Sequence, residues 1–165
     1  LKHYLSCMLI FLAFVTVNAQ EKKELKEGDQ APTFKYLDIN GKEVSLSDLK
    51  GKYVYIDVWA TWCGPCQYEL PHLKELEKKM HGKKIVLVSI SCDKDKAAWE
   101  KMVKEQGLGG VQLHNGGDRE FMTAFGIRGI PRFILLDKEG KIVNPNMTRP
   151  SNPETEKTLK ALKGI

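Results

Sequence analysis

Apolar and polar residues follow one another along the chain in a pattern that predicts strands and helices in turn. The run 53–60 (Tyr-Val-Tyr-Ile-Asp-Val-Trp-Ala) is aromatic and β-branched, which favours a buried strand. From residue 63 to residue 80 the leucines recur at helical spacing, and Gly82 follows as a stop signal. The run 85–90 predicts a second buried strand, and residues 95–106 predict a second helix. This order of elements is typical of an α/β domain.

Shorter elements are predicted before the first buried strand. Two apolar runs, 31–37 and 43–46, flank Asn40-Gly41, a dipeptide that favours a two-residue hairpin turn. Residues 47–51 then predict a single helical turn that ends at a glycine. The N-terminal part of the domain is therefore expected to be a β-hairpin.

The segment after the second predicted helix is more irregular. We expect a Gly-rich loop at 107–117 and a short helix at 119–125. Two strands follow at 132–136 and 141–143, and a last helix at 153–162 begins with a proline in its first turn. The whole order predicts a mixed central sheet with helices on both faces and an N-terminal hairpin extension.

The first twenty residues differ in kind from the rest. Lys2 and His3 precede the apolar run 8–17, and Ala19 offers a small residue at a cleavage position, which is typical of a secretory signal peptide. The run is shorter than the ~20 apolar residues of a comfortable membrane span. We expect an exported protein, with a retained membrane anchor as the alternative. The predicted organisation is a signal peptide (1–19), a flexible lead-in (20–30) and one domain (31–165).

Charge and composition narrow the function. The chain has 165 residues, of which 42% are apolar and 28% charged, which is ordinary for a soluble domain with a hydrophobic core. Its formal net charge is +5, but lysines and glutamates are interleaved rather than gathered in a basic stripe. Nucleic acid is therefore not expected as a partner.

The cysteines carry the candidate chemistry. Cys7 lies in the predicted signal peptide, so the exported chain would keep Cys63, Cys66 and Cys92. An odd number of cysteines argues against a scaffold held by disulfides and fits one working pair with a spare thiol. Cys92 ends the second buried strand and is expected to be an inert small hydrophobic residue.

Cys63 and Cys66 are three residues apart where a strand passes into a helix. This spacing brings both sulfurs to one face of the first helical turn. The unpaired N–H groups and the dipole at a helix N-terminus favour a thiolate over a thiol. We therefore expect Cys63 to be the attacking nucleophile and Cys66 the resolving thiol.

Other interpretations of the pair fit less well. A zinc site requires two further ligands, and His72 lies too far along the helix to supply one. A peroxide-reducing cysteine usually has Thr or Ser three residues before it, whereas Ala60 stands there. A structural disulfide rarely closes so short a loop, because little unfolded-state entropy is removed. No metal site is expected, and a redox pair is the favoured prediction.

Asp57 stands six residues before Cys63 in an otherwise apolar strand. A buried carboxylate is unfavourable unless it has a partner or a function. One interpretation is an acid with a raised pKa behind the disulfide, which takes and returns the proton of Cys66. The alternative is that Asp57 faces the other way and meets water or a lysine.

The string Trp62-Cys63-Gly64-Pro65-Cys66 resembles the active site of thioredoxins. The longer string 57–71 is similar to the TlpA/ResA-like branch of that superfamily, exported bacterial thiol–disulfide oxidoreductases, and Ala31-Pro32-Thr33-Phe34 resembles the opening strand of that branch. The similarity extends from residue 31 to about residue 162. It implies an α/β thioredoxin-like fold and no cofactor.

The resemblance also implies roles for single residues. Glu69 would tune the cysteine pKa values and exchange protons, although it fits an exposed helix glutamate beside a lysine as well. Ile130-Pro131 would form the cis-proline loop, where the Ile130 backbone pairs with an extended substrate; Pro131 alone fits a strand-edge proline equally. Other expected substrate-contacting residues are Trp62, Gly64 and Pro65. Many members of the branch carry Asn at the position of Asp57.

The expected function is reduction of protein disulfides in the bacterial envelope, in the periplasm, by a monomer. The substrates would be protein disulfides or thiols, and a membrane protein would donate the electrons. A disulfide oxidase or isomerase is an alternative within redox chemistry, and a dithiol copper metallochaperone in cytochrome assembly is an alternative from another class. His81 and His114 are expected to be solvated, whereas Trp59 and Phe133 are expected in the core.

Overall fold

The computed structural model describes residues 24–165. The predicted signal peptide (1–19) and the first four residues of the predicted lead-in lie outside the described residues. Within residues 24–165 none of the helices is both long enough and apolar enough to cross a membrane.

Seven strands form one mixed sheet in the order β2-β1-β5-β4-β3-β6-β7. The strands are β1 (Lys35–Asp38), β2 (Glu43–Ser45), β3 (Tyr53–Trp59), β4 (Ile85–Ser91), β5 (Val111–His114), β6 (Arg132–Leu136) and β7 (Ile142–Asn144). The three central strands β3, β4 and β5 run parallel to one another. All other neighbours in the sheet are antiparallel. The predicted mixed sheet is confirmed.

Four helices cover the sheet: α1 (Gly64–Met80), α2 (Lys96–Glu105), α3 (Glu120–Ala124) and α4 (Pro153–Lys160). A 3-10 turn (Leu46–Leu49) follows the hairpin. The long helix predicted after the cysteine pair is confirmed and continues past Pro71. The short helix and the last helix also form, and every one of their ends lies within two residues of the predicted bound.

Side chains of β3 point alternately to the two faces of the sheet, as the period of a strand requires. Val54, Ile56 and Val58 pack in an apolar cluster with residues of α3, including Phe121. Tyr55 points the other way and packs with residues of α1 and α4. The two faces of β3 are therefore covered by different helices, and the prediction of helices on both faces is confirmed.

The prediction of a Gly-rich loop at 107–117 is wrong for the middle of that segment, where β5 forms. Val-Gln-Leu-His is too short to stand out between glycines, and only pairing with β1 on one side and β4 on the other makes it a strand. His114, expected to be solvated, ends this strand and is buried, with its ring 5.2 Å from that of Trp99. The expectation failed because the strand itself was missed.

The lead-in (20–30) was predicted to be flexible, but its last residues are tied to the sheet. Gly28 donates its N–H to the carbonyl of Ile142 at 2.8 Å, and Ile142 donates to the carbonyl of Asp29 at 2.9 Å. The Gln30 side chain donates to the carbonyl of Gly140 at 3.0 Å. Polar residues here form hydrogen bonds along the edge strand β7, which a search for apolar periodicity does not detect.

Candidate active site: a disulfide at the start of a helix

The cysteine pair lies where β3 passes into α1, beside the carboxyl ends of the parallel strands. Cys63 and Cys66 form a disulfide with an S–S distance of 2.04 Å and a Cα–Cα distance of 5.2 Å. Cys63 is the N-cap of α1, and its Sγ accepts the backbone N–H of Cys66 at 3.2 Å. A donor at the helix start therefore already points at the sulfur of Cys63.

Both cysteines are largely buried, but the residues beside them in sequence are exposed. The exposed fraction is 6% for Cys63 and 2% for Cys66, which lies one turn deeper in α1. Trp62 next to the pair is 70% exposed, and Gly64 and Pro65 are exposed as well. The pair is therefore reached from the side of Trp62, Gly64 and Pro65.

Asp57 is buried in the sheet behind α1. It lies on the same face of β3 as Tyr55, whose cluster is covered by α1 and α4. Burial raises the pKa of Asp57 from 3.8 to about 7; a hydrogen bond from Ser89 on β4 opposes this rise, and the charge of Glu69 adds to it. The alternative in which Asp57 meets water or a lysine is wrong.

Glu69 is buried as well, with 3% of its surface exposed. The hydroxyl of Ser151 donates to its Oε1 at 2.8 Å, and the backbone N–H of Ser151 donates to its Oε2 at 2.9 Å. Ser151 directly precedes Asn152, the N-cap of α4. Glu69 is therefore not exposed, it pairs with no lysine of residues 24–165, and a serine 82 residues away holds it.

Tyr55 extends this buried polar group. Its hydroxyl donates to the carbonyl of Thr148 at 2.8 Å. Burial raises its pKa, and the nearby charges of Asp57 and Glu69 raise it further. Three ionisable side chains from β3 and α1 thus share one interior region, and Tyr55 stays a neutral donor there.

Asp93 holds the loop in front of the cysteines, and no sequence pattern singles it out. It is buried, and its carboxylate accepts the backbone N–H of Thr61 at 3.0 and 3.1 Å. The hydroxyls of Thr61 and Ser91 also donate to it, each at 2.7 Å. Asp93 thereby links the end of β4 to the turn that carries Trp62 and Cys63.

The loop before β6 lies beside the disulfide. The peptide bond between Ile130 and Pro131 is cis, as predicted. Ile130 packs against the apolar cluster that contains Cys63 and Cys66. Within residues 24–165 neither the backbone N–H nor the carbonyl of Ile130 has a hydrogen-bond partner. These two groups can therefore pair with an incoming extended chain.

A cleft of about 610 Å³ opens next to the pair, between Trp62 and Ile130. Cys92 lines it as a free, half-buried thiol whose S–H donates to the carbonyl of Trp59 at 3.3 Å. Burial raises the pKa of Cys92, and the charge of Asp93 adds to the rise. The expectation of an unreactive Cys92 agrees with this raised pKa, but its place in the cleft was not anticipated.

Trp59 and Phe133 are fully buried, as predicted. His81 is exposed, also as predicted. In the described part of the chain, no three side chains of His, Cys, Asp and Glu lie grouped so that they could hold a metal ion.

A model of the family described as Redoxin matches residues 26–162. The chain belongs to the redoxin family. Among redoxin relatives, the thiol-disulfide oxidoreductase ResA of Bacillus anthracis is 32% identical over 143 residues, covering 86% of this chain and 82% of that protein. ResA of Bacillus subtilis is 33% identical over 139 residues, covering 84% and 76%.

Solved structures agree with this assignment. A candidate thiol-disulfide oxidoreductase from Bacteroides vulgatus is 65% identical with a TM-score of 0.73, and 79% of this chain and 86% of that one are covered. The thioredoxin domain of another Bacteroides vulgatus thiol-disulfide oxidoreductase is 31% identical with a TM-score of 0.76, covering 83% and 97%. Together with the Cys63–Cys66 pair, these relatives identify the chain as a thiol–disulfide oxidoreductase with a thioredoxin-like fold.

Proposed function

We propose that this redoxin reduces disulfides of other proteins in the bacterial envelope, with Cys63 as the attacking thiol. The observation that carries the proposal is the position of Cys63 as N-cap of α1, where its Sγ accepts an N–H at the helix start. This environment stabilises a thiolate. Cys66, deeper and less exposed, is the resolving thiol.

In the reduced protein, the Cys63 thiolate attacks one sulfur of the substrate disulfide. A mixed disulfide forms, and the other substrate sulfur leaves as a thiolate that takes up a proton. The Cys66 thiolate then attacks the Cys63 Sγ, which releases the second substrate sulfur as a thiolate. The substrate gains two electrons and two protons, and the protein ends with the Cys63–Cys66 disulfide.

The proton of the Cys66 thiol needs an acceptor in the interior. Asp57 suits this role because burial raises its pKa to about 7, so that at neutral pH it can both accept and release a proton. Glu69 supports the same step, because its charge contributes to the raised pKa of Asp57. Trp62, Gly64, Pro65 and the Ile130-Pro131 loop would contact the substrate.

Exchange variants test the assignment of the two cysteines. Reduction of a disulfide peptide is expected to be lost in Cys63→Ser, whereas Cys66→Ser should accumulate a mixed disulfide visible by mass spectrometry. Cys92→Ser is the cysteine control and should still reduce the peptide without trapping a mixed disulfide, because burial raises the pKa of the Cys92 thiol. Retained activity in Cys63→Ser would contradict the mechanism.

The direction of electron flow is tested by the reduction potential against glutathione. A value near that of thioredoxin, about −270 mV, is expected for a reductase. A value near about −120 mV, the range of strong oxidants, would instead support the alternative of a disulfide oxidase.

The proposed location rests on residues 1–19, whose pattern is typical of a signal peptide. Expression in a bacterial host should release a mature chain that begins at Gln20, which N-terminal sequencing of the envelope fraction detects. A protein retained with residues 1–19 would support the anchored alternative. A membrane electron donor and a monomeric state belong to the same proposal, and sedimentation of the purified protein tests the second.

A further inference from the structure

The cleft beside the disulfide has an apolar floor and a cationic rim. Its floor includes Cys92, Met122 and Ile127, and Trp62 lies at the end next to Cys63. Three cations line it as well: Lys94 after β4, Arg119 before α3, and Arg128 before the cis-proline loop. All three are exposed at the surface.

Among the described residues the three cations have no acidic partner. Within residues 24–165 none of Lys94, Arg119 and Arg128 forms an ion pair. Elsewhere in the described chain exposed lysines do pair, for example Lys79 with Glu156 at 2.6 Å. Unpaired cations gathered on one cleft create a local positive potential that the interleaved surface lacks.

Two carboxylates also line the cleft, so the formal net charge of its lining is +1, and both carboxylates accept hydrogen bonds from neutral donors. Asp93 is buried and accepts hydrogen bonds from Thr61 and Ser91. Asp95 is the N-cap of α2 and accepts the backbone N–H groups of the next turn, at 3.0 and 3.2 Å. Neither carboxylate pairs with a rim cation.

The place of Arg128 connects the rim to the reaction. It lies two residues before Ile130, whose backbone N–H and carbonyl are unpaired next to the disulfide. An extended substrate chain that pairs with Ile130 would run past the Arg128 side chain and along the cleft. Residues that flank the substrate cysteine would then meet the rim cations.

We infer that the cleft selects protein substrates in which acidic residues flank the disulfide to be reduced. The inference rests on the proposed function and names its substrate class. Exposed ion pairs contribute modestly, about 2.2-fold in rate for each pair, so two pairs give roughly fivefold. Electrostatic attraction of the approaching chain acts in the same direction and weakens with salt.

The test uses the reduced protein and three synthetic disulfide peptides that differ only in the three residues on each side of the cysteines. These residues are glutamate, glutamine or lysine. Single-turnover rates should rank the glutamate peptide about fivefold above the glutamine peptide, with the lysine peptide slowest. The ratio of the glutamate-peptide rate to the glutamine-peptide rate should fall towards 1 at 0.5 M salt, where the Debye length is roughly 4 Å.

Charge variants show which residues cause the preference for the glutamate peptide. Arg119→Gln with Arg128→Gln should abolish it, so that the glutamate and glutamine peptides react at equal rates. The matched control is Lys50→Gln with Lys52→Gln, two exposed lysines just before β3. They lie at the opposite end of a seven-residue strand from the disulfide, about 20 Å away, and should leave the preference intact.

The outcomes separate this inference from the proposed function. If no peptide is reduced, the proposed function itself fails. Equal rates for the glutamate and glutamine peptides would overturn the acidic preference alone, as would a preference that survives in the double arginine variant. Faster reaction with glutathione disulfide than with the glutamate peptide would assign the cleft to a small anion, and would also overturn the inference.

Discussion

At the scale of single residues, the two buried carboxyl groups near the disulfide are held in different ways. Burial raises the pKa of Asp57 to about 7, and Ser89 on β4 opposes this rise. Glu69 receives two hydrogen bonds from Ser151, one for each carboxylate oxygen. The two donors tie Glu69 on α1 to the residue before the N-cap of α4, whereas Asp57 faces the interior between β3 and α1.

Asp57→Asn should change how stability depends on pH. The pKa of Asp57 is about 7 in the folded protein and near 3.8 when unfolded. Between these values the folded state keeps a proton that the unfolded state has lost, so the free energy of unfolding falls as pH rises from about 4 to about 7. Above pH 7 this loss is complete, at most about 4 kcal/mol for one group at 1.36 kcal/mol per pH unit.

Urea unfolding of the oxidised wild type and of Asp57→Asn at pH 5 and pH 8 checks this. The wild type should lose stability between the two pH values relative to the variant, which has no group to ionise at this position. The same pH dependence in both proteins would contradict the raised pKa of Asp57. Ser47→Ala, a change at an exposed hydroxyl, serves as a control for unrelated effects.

Ser151→Ala should destabilise the oxidised protein by about 1–3 kcal/mol. The variant removes the hydroxyl that donates to the Glu69 Oε1 and leaves that buried oxygen without its donor. A double-mutant cycle with Glu69→Gln, measured by urea unfolding, isolates the interaction of the pair. A coupling free energy near zero would show that the Ser151–Glu69 contact does not matter for stability.

At the scale of elements, the connection between α2 and β5 depends on glycine. Gly110 has a φ of +64°, and a Cβ built there would lie 2.7 Å from the backbone carbonyl oxygen of Leu87. Its N–H donates to Glu77 of α1 at 2.6 Å. Gly110 thus lets the chain pass close to β4 immediately before β5 begins, which holds β5 in register.

Gly110→Ala should therefore be costly, because the added methyl group meets backbone rather than a flexible side chain. We expect a loss of about 2 kcal/mol or more in the free energy of unfolding. Gly107→Ala is the matched control: its φ is +55°, but a Cβ there meets nothing within 4 Å. It should lose only about 1 kcal/mol. Equal losses in the two variants would contradict the proposed close approach.

At the scale of the whole molecule, residues far apart in sequence close the two sides of the sheet. The N-terminal hairpin pairs with β5 on one side, while residues 28–30 bond to residues 140–142 around β7 on the other. Residues 28–34 therefore run from the edge strand β7 to β1, the neighbour of the opposite edge strand β2, and they are part of the folded domain.

A chain that begins at Ala31 should be less stable than one that begins at Gln20. It loses the hydrogen bonds that Gly28, Asp29 and Gln30 make to the β7 region, together about 2 kcal/mol. Thermal unfolding followed by circular dichroism should show a fall in Tm of roughly 5–8 °C. Disulfide exchange should be unchanged, because these residues do not line the cleft. An unchanged Tm would mean that these bonds do not stabilise the fold.

Much of the fold was predictable because its signals are local. Strand β3 and helix α1 each carry a long, strong pattern, and the cysteine pair falls between them. The hairpin around Gly41 was predicted from turn chemistry, although its loop is longer than two residues: the Asp38 side chain accepts the N–H groups of Asn40 and Lys42. Local pattern does not reveal β5, since four residues between glycines carry no periodic signal.

The candidate site divides in the same way. Cys63, Cys66 and the cis bond before Pro131 were predicted from motifs that are contiguous in sequence. Asp93 and Ser151 were missed because each acts through a partner far away in sequence, 32 residues for Thr61 and 82 residues for Glu69. A serine or aspartate in a loop carries no sequence signal for a contact of that length.

The sequence by itself determined the dithiol pair, its place at the start of a helix and the order of the main elements. These depend on residue spacing and on hydrophobic period, which are properties of neighbouring residues. The tertiary structure alone decided which carboxyl groups are buried, which donors reach them, and that Lys94, Arg119 and Arg128 meet on one cleft. Burial and charge clustering depend on segments brought together by packing, so no local pattern encodes them.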